Sequence, residues 1–323
     1  MFSRELKLRG RAFLNYEALA QVEVKDMTID GFPAKLFFNP ARVRSVMADV
    51  SPEALQKRAC FLCPDGLEPL QLTTVWDSPT GQTYFIRVNP FPIFNHHFTI
   101  SSAIHERQTF APHMESMLHL AEAMPEMSIF YNGPMCGASA PDHMHFQAVP
   151  RHSMPIEDHF STNYANAVLV QSPDFQTHIH NLLKILSNSP QDGLTATSGL
   201  TSNSQRRSTP GASRTEEWEP RWNIISWYEP ESSASVVSDL QGKARSTGAA
   251  DLQPTGRSYN TIVFFRKESR PQCFFAPEEE RILFSPATVE MAGIGIVANR
   301  ESFDRLTPSR LRDIIREVAN NLL

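Results

Sequence analysis

Residues 131–151 read YNGPMCGASAPDHMHFQAVPR, and at their centre stands the run His143-Met144-His145-Phe146-Gln147. Successive side chains on a strand point to opposite faces of a sheet. Written as a strand, the run puts His143, His145 and Gln147 on one face and Met144, Phe146 and Ala148 on the other. The apolar set can then enter a core while three nitrogen-bearing groups line a cleft. Just upstream, Gly137-Ala138-Ser139-Ala140-Pro141 predicts a tight loop, whose small residues let backbone N–H groups come close to an anion. A polar row of period two behind such a loop marks a site.

In its order of Asn132, Gly137, Ser139 and then His-x-His-x-Gln, the stretch resembles the nucleotidyltransferase branch of the histidine-triad (HIT) superfamily. That branch includes galactose-1-phosphate uridylyltransferase, diadenosine tetraphosphate phosphorylase and GDP-L-galactose phosphorylase. Taken with CFLC at 60–63 and NPFPIF at 89–94, the wording GASAPDHMHFQ is similar to a mostly bacterial group related to these phosphorylases. Hydrolases of the superfamily carry a third His where Gln147 stands, so the resemblance implies transfer rather than simple hydrolysis. It implies a nucleotidyltransferase, or a phosphorylase of nucleotide sugars or dinucleotides, with phosphate or a sugar phosphate as acceptor. His145 would be the nucleophile that carries the nucleotidyl group, and Gln147 would donate to a phosphoryl oxygen. Ser139 and the N–H groups around Gly137 and Ala138 would hold the β-phosphate region, and Asn132 the loop or the bridging oxygen. A HIT-like hydrolase and a non-catalytic nucleotide-binding protein are the alternatives. Asp142 lengthens the Ser139-to-His143 spacing by one residue relative to the uridylyltransferase.

Upstream, Cys60 and Cys63 form a C-x-x-C that reads as a redox pair, as two buried thiols, or as half of a zinc site. The turn residues Pro64-Asp65-Gly66 follow it, where a thioredoxin-like motif would open a helix. By family order the resemblance implies structural zinc held by Cys60, Cys63, His105 and His143, with His96 and His97 as rivals for the third place. Residues 83–100 read as two strands broken at Asn89-Pro90. Beyond starting a turn there, Asn89 is implied to contact a ribose, with Phe91, Ile93 and Phe94 as an apolar wall for the base. Asn39-Pro40 precedes Arg42 and Arg44, candidates for the nucleotide phosphates by the same resemblance. Asp30-Gly31 inside the alternating run 21–38 predicts a hairpin.

Downstream, 114–124 and 174–186 have helical apolar spacing, and His178 and His180 fall on the polar side of the second run. Residues 188–220 and 229–257 are rich in Ser, Thr and Gly and read as flexible insertions. Between and after them, RWNIISWY at 221–228 and YNTIVFF at 259–265 predict paired strands. The part from Arg281 on resembles a second, degenerate copy of the first half, because Ile294-Gly295-Ile296-Val297 has no ionisable group where the first half has its His row. By the same resemblance Lys267 and Arg270 are candidates for the phosphate end of the substrate, or else solvated charges. Thr307-Pro308 opens a last helix. The expected fold is therefore α+β and HIT-like, with two tandem antiparallel half-domains: 1–187 with the chemistry, 221–323 without it. The chain would be a monomer with a pseudo-dimer inside it, or a homodimer.

Bulk properties narrow the classes further. The chain has 323 residues, 41% of them hydrophobic, and a net charge of −5, which disfavours a nucleic-acid groove or an anionic membrane surface. No apolar run reaches the length of a membrane span. The first ten residues lack the apolar core of a signal peptide, and four cysteines do not make a disulfide framework, so a cytoplasmic protein is expected.

Overall fold

The computed structural model describes residues 11–47, 49–66, 71–188, 219–231 and 256–320. The insertions 188–220 and 229–257 lie outside these residues except at their margins, as do Leu67, Glu68 and Pro69 after the cysteine pair. Strands β1 (Glu23–Ile29) and β2 (Phe32–Phe38) form the expected hairpin. Asp30 and Gly31 between them take φ of 50° and 86°, the paired positive values of a type I′ turn, which Asp-Gly adopts at least cost.

The body is an eight-stranded antiparallel sheet. It is built from β3 (Thr73–Asp77), β4 (Thr83–Val88), β5 (Phe98–Ser102), β6 (Met127–Asn132), β7 (His145–Pro150), β8 (Ala167–Ser172), β9 (Trp222–Glu229) and β10 (Ser258–Phe265). Their spatial order is β3-β4-β5-β7-β6-β9-β10-β8. Strands of both expected halves thus share one sheet, joined where β6 pairs with β9 and again where β8 pairs with β10. β6 and β10 are buried along their whole length, which explains why MSIFYN and SYNTIVFF are nearly continuous apolar or small runs. β11 (Ile294–Val297) belongs to a second, three-stranded sheet, where it runs parallel to β2 with Ile296 opposite Phe37.

Four helices have two turns or more among the described residues: α1 (Arg11–Ala18), α2 (Met114–Ala123), α3 (Phe175–Ser187) and α4 (Pro308–Val318). On one face of the large sheet, Ile129, Tyr131, Met144, Phe146, Ala148, Ile224 and Val263 pack under Met117 and Leu118 of α2 and Ile179 and Leu182 of α3. On the other, Phe130, Val149, Ile225, Ile262 and Phe264 pack against Ile29, Leu36, Ile294 and Ile296 of the small sheet and Leu311 and Ile314 of α4. Thr307 caps α4 by accepting from the Arg310 N–H, with Pro308 at the first helical position. One expectation fails on α3. His178 is fully buried, with Nε2 2.8 Å from the Thr261 hydroxyl, because α3 lies flat over the β8–β10 edge; His180 is exposed.

Candidate active site

The β7 register places the site. Met144, Phe146 and Ala148 are wholly buried on the helix-covered face, so His145 and Gln147 are turned to the opposite one. On β5 their partners are Ser101 and Thr99, too small to fill the space above them. A cavity of about 840 Å³ opens there, within the range of small-molecule sites. Its lining includes Asn132, Gly137, Ala138, Ser139, His145 and Gln147 from the central stretch, Asn89 and Phe91 from the loop after β4, and Arg42 and Arg270 from farther away. Lys267 is exposed and is not part of the lining, and the Arg44 side chain lies outside the described residues.

His145 is 4% exposed. Its Nδ1 lies 2.8 Å from the His143 carbonyl, which can only accept, so Nδ1 carries the proton and Nε2 keeps its lone pair. Burial pushes the imidazole down to about 4, outweighing that hydrogen bond, so the ring is neutral near pH 7. The strand is held by a residue that has no motif to mark it in the sequence. Gln108, buried, accepts the His145 N–H at 2.8 Å and donates to the carbonyls of His145 and Asn132 at 3.0 and 2.9 Å. One amide thereby ties β6 to β7 where their ladder has ended.

Asn132 is fixed from the C-terminal part of the chain. Its Oδ1 accepts from the Thr288 N–H at 2.9 Å, the Thr288 hydroxyl at 2.6 Å and Asn223 Nδ2 at 3.3 Å. A backbone N–H can only donate, so the oxygen is unambiguous and the Asn132 amide N–H groups are the free end. Asn89 has a different position from that of a simple ligand contact. Its Oδ1 caps the turn by accepting the Phe91 N–H at 2.8 Å, and its Nδ2 lies 3.3 Å from Gln147 Oε1. Gly137 has φ of +95°, and a Cβ there would run into the Ala287 side chain, so the loop admits only glycine at this point. The Ala138 N–H turns back to the Gly133 carbonyl at 3.3 Å.

Beside the cavity, the Sγ atoms of Cys60 and Cys63 and ring nitrogens of His105 and His143 all lie within 4.8 Å of one another. Cys60 Sγ and Cys63 Sγ are 3.2 and 3.5 Å from His143 Nδ1, and Cys63 Sγ is 3.3 Å from His105 Nδ1. Ligand bonds of about 2.0–2.3 Å give tetrahedral edges of roughly 3.3–3.8 Å, so this set could hold a metal ion. Its electrostatics fit the same reading. Burial alone would raise the Cys60 thiol, yet its hydrogen bond to His143 brings it down to about 6. Burial and the neighbouring Cys60 push Cys63 up to about 11. The pair thus holds one thiolate and one thiol near neutral pH, and Cys63 would lose its proton as well only with a cation between the two sulfurs. His143 Nε2 reaches the Ser102 carbonyl at 2.9 Å, the outer-shell contact that aims Nδ1 at the cluster. Neither His96 nor His97 is in the group, so His105 is the third member. Asp142 pairs with Arg58, whose guanidinium lies 4.7 Å from the Phe61 ring centre. The pair thus straps the loop before β7 to the cysteine turn.

Comparison with known proteins adds the following. The family model described as "Domain of unknown function (DUF4922)" matches residues 1–150. A search of curated proteins finds no match. Among solved structures, yeast Ap4A phosphorylase Apa2 is 13% identical, with a TM-score of 0.54, and the likeness covers 99% of this chain and 98% of that one. The same yeast enzyme in complex with AMP gives 13% identity and a TM-score of 0.49 over 99% and 98% of the two chains. Likeness at this identity concerns architecture, and the first of these, with the antiparallel sheets described above, establishes a HIT-like α+β fold.

Proposed function

We propose that the chain is a nucleotidyltransferase of the phosphorylase type, acting on a dinucleotide or nucleotide sugar through a nucleotidyl group carried on His145. The observation that carries this reading is the neutral, Nδ1-protonated His145, whose Nε2 lone pair belongs to a side chain lining a nucleotide-sized cavity. The fold likeness to an Ap4A phosphorylase agrees with that class of chemistry.

Nε2 attacks the α-phosphorus, the bond to the leaving oxygen breaks, and the leaving group departs with that electron pair. The ring becomes a cation whose Nδ1–H still donates to the His143 carbonyl. In the second half, an oxygen of phosphate or a sugar phosphate attacks the same phosphorus. The P–Nε2 bond then breaks, and its electrons restore the neutral imidazole. Charge growing on the phosphoryl oxygens is met by the amide N–H groups of Asn132 and Gln147, with Arg42 and Arg270 in the wider lining. Asn89 acts through Gln147 and the turn it caps, and Phe91 and Ile93 form an apolar wall for the base. The Cys60, Cys63, His105 and His143 cluster is read as a structural zinc site, a cross-link that fixes the loop ahead of the nucleophile.

The test is a mass measurement. Protein incubated with a dinucleoside polyphosphate or nucleotide sugar, without acceptor, should gain one nucleoside monophosphate on the peptide containing His145. The adduct should be acid-labile and alkali-stable, as a phosphoramidate is, and absent from His145→Ala. Turnover by His145→Ala, or adduct on another residue, would exclude the mechanism.

A further inference from the structure

We infer that His97 is a positioning residue that fixes which end of the Gln147 amide faces the cavity, an inference that rests on the donor role proposed for Gln147. An amide offers two donors at one end and acceptors at the other, and nothing in its shape chooses between them. If Gln147 turned its oxygen toward the phosphoryl group, it would repel the charge it is meant to stabilise. The loop between β4 and β5 decides the matter by a chain of bonds that begins at the backbone.

The Ile93 N–H, which can only donate, lies 3.1 Å from His97 Nδ1. Nδ1 is therefore the acceptor, and in the neutral ring the proton must be on Nε2. His97 Nε2 is 2.8 Å from Gln147 Oε1, so that atom is necessarily the oxygen. Asn89 repeats the logic: the Phe91 N–H fixes its oxygen, which leaves Nδ2 facing the same Gln147 Oε1 at 3.3 Å. Asn89 Nδ2 also lies 3.3 Å from His97 Nε2, but both nitrogens bear protons, so Gln147 Oε1 is the acceptor they share, and the Gln147 N–H groups are left for the cavity its side chain lines. The ring is 1% exposed, and burial holds it neutral, down to about 3, so its Nδ1 stays open to the Ile93 N–H. The loop is clamped as well. The His97 carbonyl accepts the Asn89 N–H at 2.9 Å and the Tyr16 hydroxyl of α1 at 3.0 Å. Asn15 Nδ2 donates to the Pro90 carbonyl at 2.7 Å.

The experiment has a structural arm and a kinetic one. Nitrogen-15 spectra of the imidazoles at pH 7 should show His97 as the neutral Nε2–H tautomer; an Nδ1–H or doubly protonated ring overturns the inference whether or not the chain is an enzyme. In the kinetic arm, His97→Leu should slow formation of the His145 adduct by about 10²-fold, the scale of one lost oxyanion donor, with a much smaller change in KM. His97→Gln, which can present an N–H at the position of Nε2, should recover about tenfold of that loss. In a Gln147→Met background, His97→Leu should cost less than about twofold more, because a residue that acts only through Gln147 has nothing left to act on. Full additivity in that background, or no advantage of Gln over Leu in variants of equal thermal stability, refutes the assignment. Absence of any adduct in the unsubstituted protein would instead count against the nucleotidyl-His145 mechanism, and the tautomer measurement would still decide for or against the role of His97.

Discussion

Single atoms decide most of the chemistry proposed here, and several can be tested one at a time. Gln147→Ala keeps the nucleophile and removes one donor, so adduct formation on His145 should fall by roughly 10²–10³-fold while nucleotide affinity stays within a few-fold. Single-turnover rates set beside equilibrium binding separate the two. His178 supplies a pH test away from the cavity. Burial depresses its folded-state value to about 4, against an ordinary 6.5, so between those values the unfolded chain binds more protons than the folded one. Its contribution to stability is therefore present above about pH 6.5 and is lost as pH falls toward 4. Melting curves of the protein and of His178→Leu should diverge at neutral pH and converge as pH falls. The difference is the readout, because the Glu219 carboxyl, pushed up to about 7 by burial, moves the absolute curve the other way. The His145/Gln147 pair is legible in the sequence because strand periodicity is local and the neighbouring Met144 and Phe146 must be buried; His143, expected in the same row, precedes β7 and turns its ring to the cysteine cluster rather than into the cavity. Gln108 and His97 are not legible, since what makes them matter is a partner 37 or 50 residues away along the chain. His178 misleads for the same reason, its partner Thr261 being 83 residues distant.

At the scale of elements, the Cys60–Cys63 turn, the loop bearing His105 and the entry to β7 meet at one cluster. Protein purified without chelator should carry close to one zinc per chain, and Cys63→Ser should lower that content and the melting temperature together. Full stability in the metal-free protein would leave the cluster as two thiols beside two imidazoles. The spacing of the cysteines and the turn after them is visible in sequence. The choice of His105 over His97 follows from geometry, because His97 is drawn inward by the Ile93 N–H and Gln147. The loop NPFPIFNH shows how far local reading reaches. Its Asn-Pro turn and apolar side chains are written in the residues, but the inward aim of its N–H groups emerges only once α1 and β7 close around it.

For the whole molecule, the large sheet makes the C-terminal part a structural partner of the site even though β11 carries no ionisable side chain. Arg270, Ser285 and Glu290 join the lining, and Thr288 reaches across to Asn132 and to the Tyr131 carbonyl, 2.7 Å from its hydroxyl. Thr288→Val keeps the shape and the backbone donor but removes the one hydroxyl proton that Asn132 Oδ1 and the Tyr131 carbonyl share, the carbonyl keeping its place in the β6–β9 ladder. It should cost about 0.5–1.5 kcal/mol in denaturant unfolding, the scale of one hydrogen bond, and slow adduct formation, since Asn132 loses one of its restraints. None of this is legible from residues 281–291 read alone; it follows from long-range packing against β6. The Thr288–Asn132 contact also bears on how the protein is made. Synthesis runs from the N-terminus, so His145 and Gln147 leave the ribosome well before Thr288, β10 and β11 exist. Until they arrive, β8 and β9 lack β10, and β2 lacks β11. A chain stalled at residue 280 would carry His145 while Asn132, still held by Asn223 and Gln108, lacked both Thr288 donors and while Ser285, Ala287 and Glu290 were missing from the cavity lining. The order of translation thus makes the walls of this cavity complete only after the strand that bears His145 has been made.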